Sequence, residues 1–247
     1  MERWQGRVAV VTGASAGIGA AIVEDLVESG MVVVGLARRE DHLLKIKDKL
    51  TGKPGTFHPI KADITKEEDF DKAFEWIQNN LGGLDVLVNN AGVVVTSYIS
   101  DGNLEDWRKI FELNVFAAGA CAREAVKSMR ARNIDGHIIN INSICSHWIP
   151  NLPGIAPYSA SKHAAKVISE GLRMDLASQK SKIKVTNISP GLVATPMLDS
   201  FKEGKELNIF FEPLNAKDIA DAVHYVLGTP PNVQVTELII RPVQERI

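Results

Sequence analysis

The stretch Val8-Ala9-Val10-Val11-Thr12-Gly13-Ala14-Ser15-Ala16-Gly17-Ile18-Gly19 decides the fold. Its first five residues suit a strand buried on both faces, and from Ala20 to Glu28 apolar positions recur at helical spacing. Strand, glycine turn and helix follow without a gap. Residues without a Cβ let the backbone turn tightly and let a pyrophosphate approach the amide N–H groups at the helix N-terminus, where the dipole favours negative charge. Gly13, Ser15, Gly17, Ile18 and Gly19 are the contacts expected here. The spacing G-x-x-x-G-x-G departs from the G-x-G-x-x-G dinucleotide fingerprint. The same residues also read G-x-S-x-G, an elbow that presents a hydrolase serine, here Ser15. A hydrolase would need an oxyanion-hole loop from an earlier strand, and none is expected before Val8.

Further β-branched runs follow at Met31 to Leu36, Phe57 to Ile60, Leu84 to Val88, His137 to Ile141, Ile183 to Ile188 and Leu238 to Ile240. Helical patterns lie between them, about 17–29, 40–50, 66–80, 104–131, 157–179 and 216–227. Asp63 or Thr65 with Glu68, and Asn215 before Ala216, read as capped helix starts. Strands apolar on both faces and separated by helix-length segments belong to a parallel sheet covered by helices on both sides. The expected fold is therefore α/β: one doubly wound, Rossmann-type domain over residues 1–247, with about seven strands. Between 193 and 214 the periodic pattern lapses into an apolar segment that reads as a substrate lid.

Bulk composition narrows the function. The 28 Lys plus Arg nearly balance the 30 Asp plus Glu, so no overall field favours nucleic acid or an anionic membrane. No signal peptide is visible ahead of Val8, and no run of eighteen apolar residues occurs. Cys121 and Cys145 are too few and too isolated for a disulfide scaffold or a zinc site. A cytoplasmic protein with reduced thiols, no metal and no membrane span is expected.

At the end of the second strand, Val34-Gly35-Leu36-Ala37-Arg38-Arg39 lacks the acidic residue that would bind a ribose 2′-hydroxyl. Two guanidinium groups there suit a 2′-phosphate, so NADP(H) is expected over NAD(H). Arg38 is the preferred contact, and Arg39 reads equally as a solvated residue opening the next helix. Further on, Tyr158 and Lys162 are four apart in Pro157-Tyr158-Ser159-Ala160-Ser161-Lys162 and share a helix face. An ammonium near a phenol would lower its pKa from about 10, letting Tyr158 act as general acid or base.

Taken together, Thr12-Gly13-x-x-x-Gly17-x-Gly19, Asp63, Asn89-Asn90-Ala91-Gly92, Asn114, Ser143, Tyr158-x-x-x-Lys162 and Pro190-Gly191 through Thr195 resemble the short-chain dehydrogenase/reductase family over essentially the whole chain. The resemblance implies that Ser143 bonds the substrate oxygen, Tyr158 exchanges a proton with it, and Lys162 holds the nicotinamide ribose. Asn114 would support a water connecting Lys162 to solvent. An ordinary buried amide is the other reading of Asn114. Asp63 with Ile64 would meet the adenine, Asn90, Ala91 and Gly92 would line the cleft, and Pro190, Gly191, Val193 and Thr195 would bind near the carboxamide. Two preplaced donors suit the charge that develops on oxygen during carbonyl reduction. The sequence departs from the family in its long interval between Ser143 and Tyr158 and in the ending Arg241-Pro242-Val243, which replaces a frequent Asp-Gly-Gly.

Val94, Cys145, His147, Trp148, Met197 and Phe201 are expected around the substrate, which makes it lipophilic. Leu36-Ala37-Arg38, Cys121-Ala122-Arg123-Glu124-Ala125 and Gly136 to Ser143 resemble the insect farnesol dehydrogenases and vertebrate relatives acting on keto- and hydroxysteroids. An isoprenoid alcohol oxidised with NADP⁺ is the leading expectation and a steroid the alternative. A Ser15 hydrolase and a nucleotide-sensing protein without chemistry are rivals of other classes. The apolar surface of the helices near 104–131 and 157–179 points to a homodimer or homotetramer.

Overall fold

A computed structural model describes residues 1–198 and 210–246. Among them, seven strands form one wholly parallel sheet: β1 (Val8–Thr12), β2 (Val32–Ala37), β3 (Thr56–Lys61), β4 (Val86–Asn89), β5 (His137–Ile141), β6 (Lys184–Pro190) and β7 (Glu237–Ile240). Their order is β3-β2-β1-β4-β5-β6-β7. The chain reverses its direction of winding between β1 and β4, and a crevice opens there beyond the strand ends. The site is built at that edge.

Alternation along β1 shows why a continuous apolar run was needed. Ala9 and Val11 join one buried cluster with Ile22 and Val23 of α1 (Gly17–Glu28) and Ile219 and Val223 of the last helix. Val8 and Val10 join a second cluster on the opposite face. That face is covered by α3 (Glu67–Leu81), α5 (Ala118–Ala131) and α6 (Ala156–Ser178), and α2 (Glu40–Lys49) covers the first face beyond β2. The last helix, α7 (Ala216–Gly228), starts as expected at Asn215, whose N–H donates to the Asp218 carboxylate at 2.7 Å.

Two local expectations change. The helix expected over 104–131 is α4 (Leu104–Phe111) and α5 joined by a π-helical turn, Glu112–Ala117, which the apolar spacing does not reveal. Asp63 and Thr65 do not cap α3 directly, because Lys66 stands at the cap position. Instead Asp63 folds a turn just before the helix, accepting from the Thr65 N–H at 3.1 Å and hydroxyl at 2.7 Å. The lid expected over 193–214 has its ends tied together. Ala194 N–H donates to Leu214 O at 2.8 Å, and Leu214 N–H donates to Leu192 O at 2.9 Å. Phe201 lies outside the described residues.

Candidate active site

The glycine turn is held from below by β4. Thr12 Oγ1 accepts from the N–H groups of Asn90 and Ala91, both at 3.0 Å, and Asn90 Nδ2 donates to the carbonyls of Thr12 at 2.9 Å and Gly13 at 3.3 Å. Gly13 has φ +68°, a conformation that disfavours any side chain. A Cβ on Gly19 would overlap the Gly13 carbonyl and the Asn90 amide. The first turn of α1 carries no side-chain cap, so its N–H groups face the crevice at the end of β1. A Cβ on Gly17 would meet Thr195 at 3.1 Å, which places the far loop over the turn. These residues fit a dinucleotide pyrophosphate.

Both arginines flank the turn. Arg39, at the cap position of α2, donates to Ser15 Oγ through Nε at 3.3 Å and Nη2 at 3.0 Å. It bonds the turn while standing exposed at the start of α2, so the opening of the helix and the contact with Ser15 fall on one residue. Ser15 takes these bonds from an arginine, and among the described residues no histidine bonds it, so the hydrolase reading lacks its base. Arg38 lies nearer Asp63. Burial opposes ionisation of Asp63, but Thr65 and the Arg38 charge outweigh it and hold the carboxyl below its usual range. Ile64 behind it is buried.

Across the crevice, Ser143, Tyr158, Lys162 and Asn114 converge. Pro157 suits the first turn of α6, and Tyr158 and Lys162, which follow it on this helix, are both buried. Ser143 lies two residues beyond β5 and caps a short 3₁₀ turn, Ile144–Ser146, accepting from the Cys145 N–H at 3.1 Å. The Asn114 amide, re-aimed by the π turn, accepts from Val93 N–H at 2.9 Å and donates to Val93 O and Ser161 Oγ at 3.0 and 3.1 Å. A Cβ on Gly92 would sit 3.4 Å from Asn114 Oδ1 and 3.7 Å from Lys162 Nζ, ordinary contact distances that place both groups beside this turn. Behind Lys162 lies a cavity of about 40 Å³, bounded by Asn89, Asn114, Asn140, Asn142 and Ser169. The Oδ1 atoms of Asn89 and Asn142 are buried there without a protein partner among the described residues.

The electrostatics differ from the expectation for the phenol. Burial pushes the Tyr158 pKa up, the nearby Cys145 adds to this, and the Ser143 hydroxyl offsets only part of it. Burial also lowers Lys162 to about 8. The ammonium lies 5.8 Å from the centre of the Tyr158 ring and donates to Ile141 O at 3.3 Å. Desolvation of both groups therefore outweighs their mutual help in this structure.

Over Tyr158 the wall is apolar: Ile144, Cys145 and Ile155 are buried against it with Val94 and Leu152. Val94 and Cys145 were expected. Leu152 and Ile155 were not, although both are apolar residues inside the long interval before Tyr158. Burial raises the Cys145 thiol above its ordinary value. His147 does not turn into this pocket; its two ring nitrogens are engaged beneath the loop by Glu237, Ser189 and Lys166. Trp148 packs on the His147 ring at 5.4 Å, with Arg241 5.9 Å from its own ring. Met197 is exposed at the start of the lid. Beyond Pro190, Gly191 N–H donates to Ile240 O at 2.7 Å, and the Glu245 carboxylate accepts from Leu192 N–H at 2.8 Å and Arg241 Nε at 2.9 Å. The atypical chain end thus returns to the loop that follows β6.

The geometry agrees with what the chain resembles. Residues 7–206 match the family model described as short chain dehydrogenase. A farnesol dehydrogenase of Aedes aegypti is 47% identical over 250 residues, with 100% of both chains covered. Dehydrogenase/reductase SDR family member 11 of Mus musculus is 43% identical, covering 99% of this chain and 97% of that protein. Among solved structures, an alcohol dehydrogenase from Thermococcus sibiricus complexed with 5-hydroxy-NADP superposes with TM-score 0.84 at 26% identity, covering 98% and 99% of the two chains. The closed form of a serine dehydrogenase with NADP⁺ gives 0.82 at 29% identity, covering 97% and 96%. The match spans most of the chain and the relatives are covered almost end to end, and on this evidence the chain belongs to the short-chain dehydrogenase/reductase family of oxidoreductases.

Proposed function

We propose that the chain interconverts a lipophilic alcohol and its carbonyl compound with NADP(H), and that farnesol or a similar isoprenoid alcohol is the substrate. The observation that carries this is the apolar wall of Val94, Cys145, Leu152 and Ile155 over Tyr158, in a chain 47% identical throughout to a farnesol dehydrogenase. A bound nicotinamide would supply or accept the hydride. Ser143, whose hydroxyl lies beside the Tyr158 phenol, donates to the substrate oxygen. Tyr158 exchanges the proton with that oxygen. Lys162 and Asn114 adjoin the cavity behind the tyrosine, which has room and polar partners for water, and through it the lysine exchanges protons with solvent.

The test is a panel of farnesol, other prenols, hydroxysteroids and ketosteroids, each followed at the NADPH absorbance band. Farnesol oxidation with NADP⁺ is the expected result. Turnover of a steroid alone would overturn the isoprenoid assignment, and no turnover at all would overturn the enzyme.

For the nucleotide, Arg38 and Arg39 supply the phosphate-binding charge. Arg38→Asp should weaken NADP(H) at least about ten-fold, the worth of one charge-assisted bond, and leave NAD(H) within about two-fold. Equal losses for both nucleotides in a fluorescence titration would remove Arg38 from the phosphate contact.

No helix among the described residues is long and apolar enough to cross a membrane. Two buried free cysteines fit a cytoplasmic setting. The chain forms a homodimer or homotetramer through the π turn and α6, where Phe116 and Val167 are 63% and 70% exposed alongside Ile168 and Met174. Phe116→Asp with Val167→Asp should shift sedimentation to the monomer. A parent that sediments as a monomer would remove the interface.

A further inference from the structure

The turn carrying Ser143 is supported by polar groups that the reaction does not use. Ser146 Oγ donates to the Ser143 carbonyl at 2.7 Å and lies 3.4 Å from Ser189 Oγ on β6. Ser189 in turn donates to Glu237 Oε1 at 2.7 Å. His147 Nε2 is 3.3 Å from both Ser189 Oγ and Glu237 Oε1, and its Nδ1 is 2.9 Å from Lys166 Nζ on α6. Asn187 Nδ2 donates to Glu237 Oε2 at 3.4 Å.

Donor counting gives this group a direction. An ammonium has hydrogens and no lone pair, so Nδ1 must accept from Lys166, which assigns the ring hydrogen to Nε2. That hydrogen points at Glu237, as does the Ser189 hydroxyl. The carboxylate of the edge strand is therefore the common acceptor, and the Lys166 charge balances it from across the imidazole. Arg241 is the other charge nearby, reaching the Trp148 ring from the chain end. The His147 side chain is only 12% exposed, so these bonds are not replaced freely by water.

We propose that Glu237, 90 residues beyond His147 in the chain, is a positioning residue for Ser143. Its carboxylate gathers Ser189 and His147, and these hold the 143–148 turn where the Ser143 hydroxyl meets Tyr158. The proposal rests on the oxidoreductase reading of Ser143. A displacement of about 1 Å at a reacting group can lower a rate about a hundred-fold, so loosening this turn should be visible in turnover.

Glu237→Ala should lower kcat for NADP⁺-dependent farnesol oxidation at least about ten-fold, speed hydrogen exchange in the peptide spanning residues 143–149, and leave NADPH affinity within about two-fold, because the glycine turn is untouched. Glu237→Gln should recover most of the rate. Its amide oxygen still accepts from Ser189 and His147, and Asn187, whose Oδ1 has no partner among the described residues, can turn to accept from the new amide. Should Glu237→Ala fail to fold, Ser189→Ala removes one arm of the anchor and should give the same pattern more weakly. A kcat within two-fold of the parent, unchanged exchange in that peptide, or NADPH affinity falling in step with kcat overturns the proposal. If the parent leaves farnesol untouched, the substrate reading fails, and the same comparison with whichever carbonyl compound the parent reduces still decides the role of Glu237.

Discussion

Tyr158→Phe is expected to lower turnover about a thousand-fold while NADPH binding stays within about two-fold of the parent. The ring packs among Ile144, Cys145 and Ile155, so phenylalanine fills the same space and only the hydroxyl is lost. Burial keeps that hydroxyl protonated well beyond neutral pH, which suits proton donation to a nascent alkoxide. Carbonyl reduction should therefore hold its rate through neutral pH, and alcohol oxidation should gain rate as pH rises, because oxidation needs the phenol to give up its proton first. The variant should lose both directions together. Steady-state rates in each direction with a parallel fluorescence titration check this, and activity within a few-fold of the parent would exclude Tyr158 as the proton carrier.

Lys162→Met should have opposite effects on activity and stability. The side chain is buried, and the bond to the Ile141 carbonyl at 3.3 Å is the one hydrogen bond its ammonium makes among the described residues. Its pKa falls from 10.5 to about 8 on folding, which corresponds to a penalty of about 3 kcal/mol for keeping it charged. The unfolded chain binds more protons than the folded one between those two values. The penalty is thus fully present below about pH 8 and disappears as pH rises toward 10.5. Methionine has a similar length and no charge, so the variant should resist urea better than the parent at pH 7, with the gap narrowing by pH 10. Turnover should drop about a hundred-fold or more, because the tyrosine loses its charged neighbour. Equal stability of parent and variant at both pH values would show that the ammonium is better solvated than its burial implies.

Much of this was legible before any coordinates, and the exceptions have physical causes. β1 and β5 span the runs read for them, Val8 to Thr12 and His137 to Ile141, because a strand covered on both faces needs a continuous stretch that can be buried. The paired spacing of Tyr158 and Lys162 was legible because a helix of 3.6 residues per turn stacks positions four apart. The π turn around Asn114 was not. It changes the hydrogen-bond pattern of the backbone, and apolar periodicity on either side survives it. The bond from Arg39 to Ser15 was not legible either, because it depends on how the start of α2 lies beside the glycine turn. The tyrosine's electrostatics were misjudged for a different reason: spacing shows that a cation is near, and says nothing of how much water both groups lose. Glu237 carried no motif at all, and its relation to Ser143 exists only once β7 lies beside β6.

Leu214 bonds to residues 192 and 194 at once, so the chain that leaves at Ala194 rejoins beside its own starting point. Closing a longer loop on a fixed neck adds only about 0.6 kcal/mol for each doubling of length. Extra residues inserted at such a neck should therefore leave the floor that holds the glycine turn undisturbed.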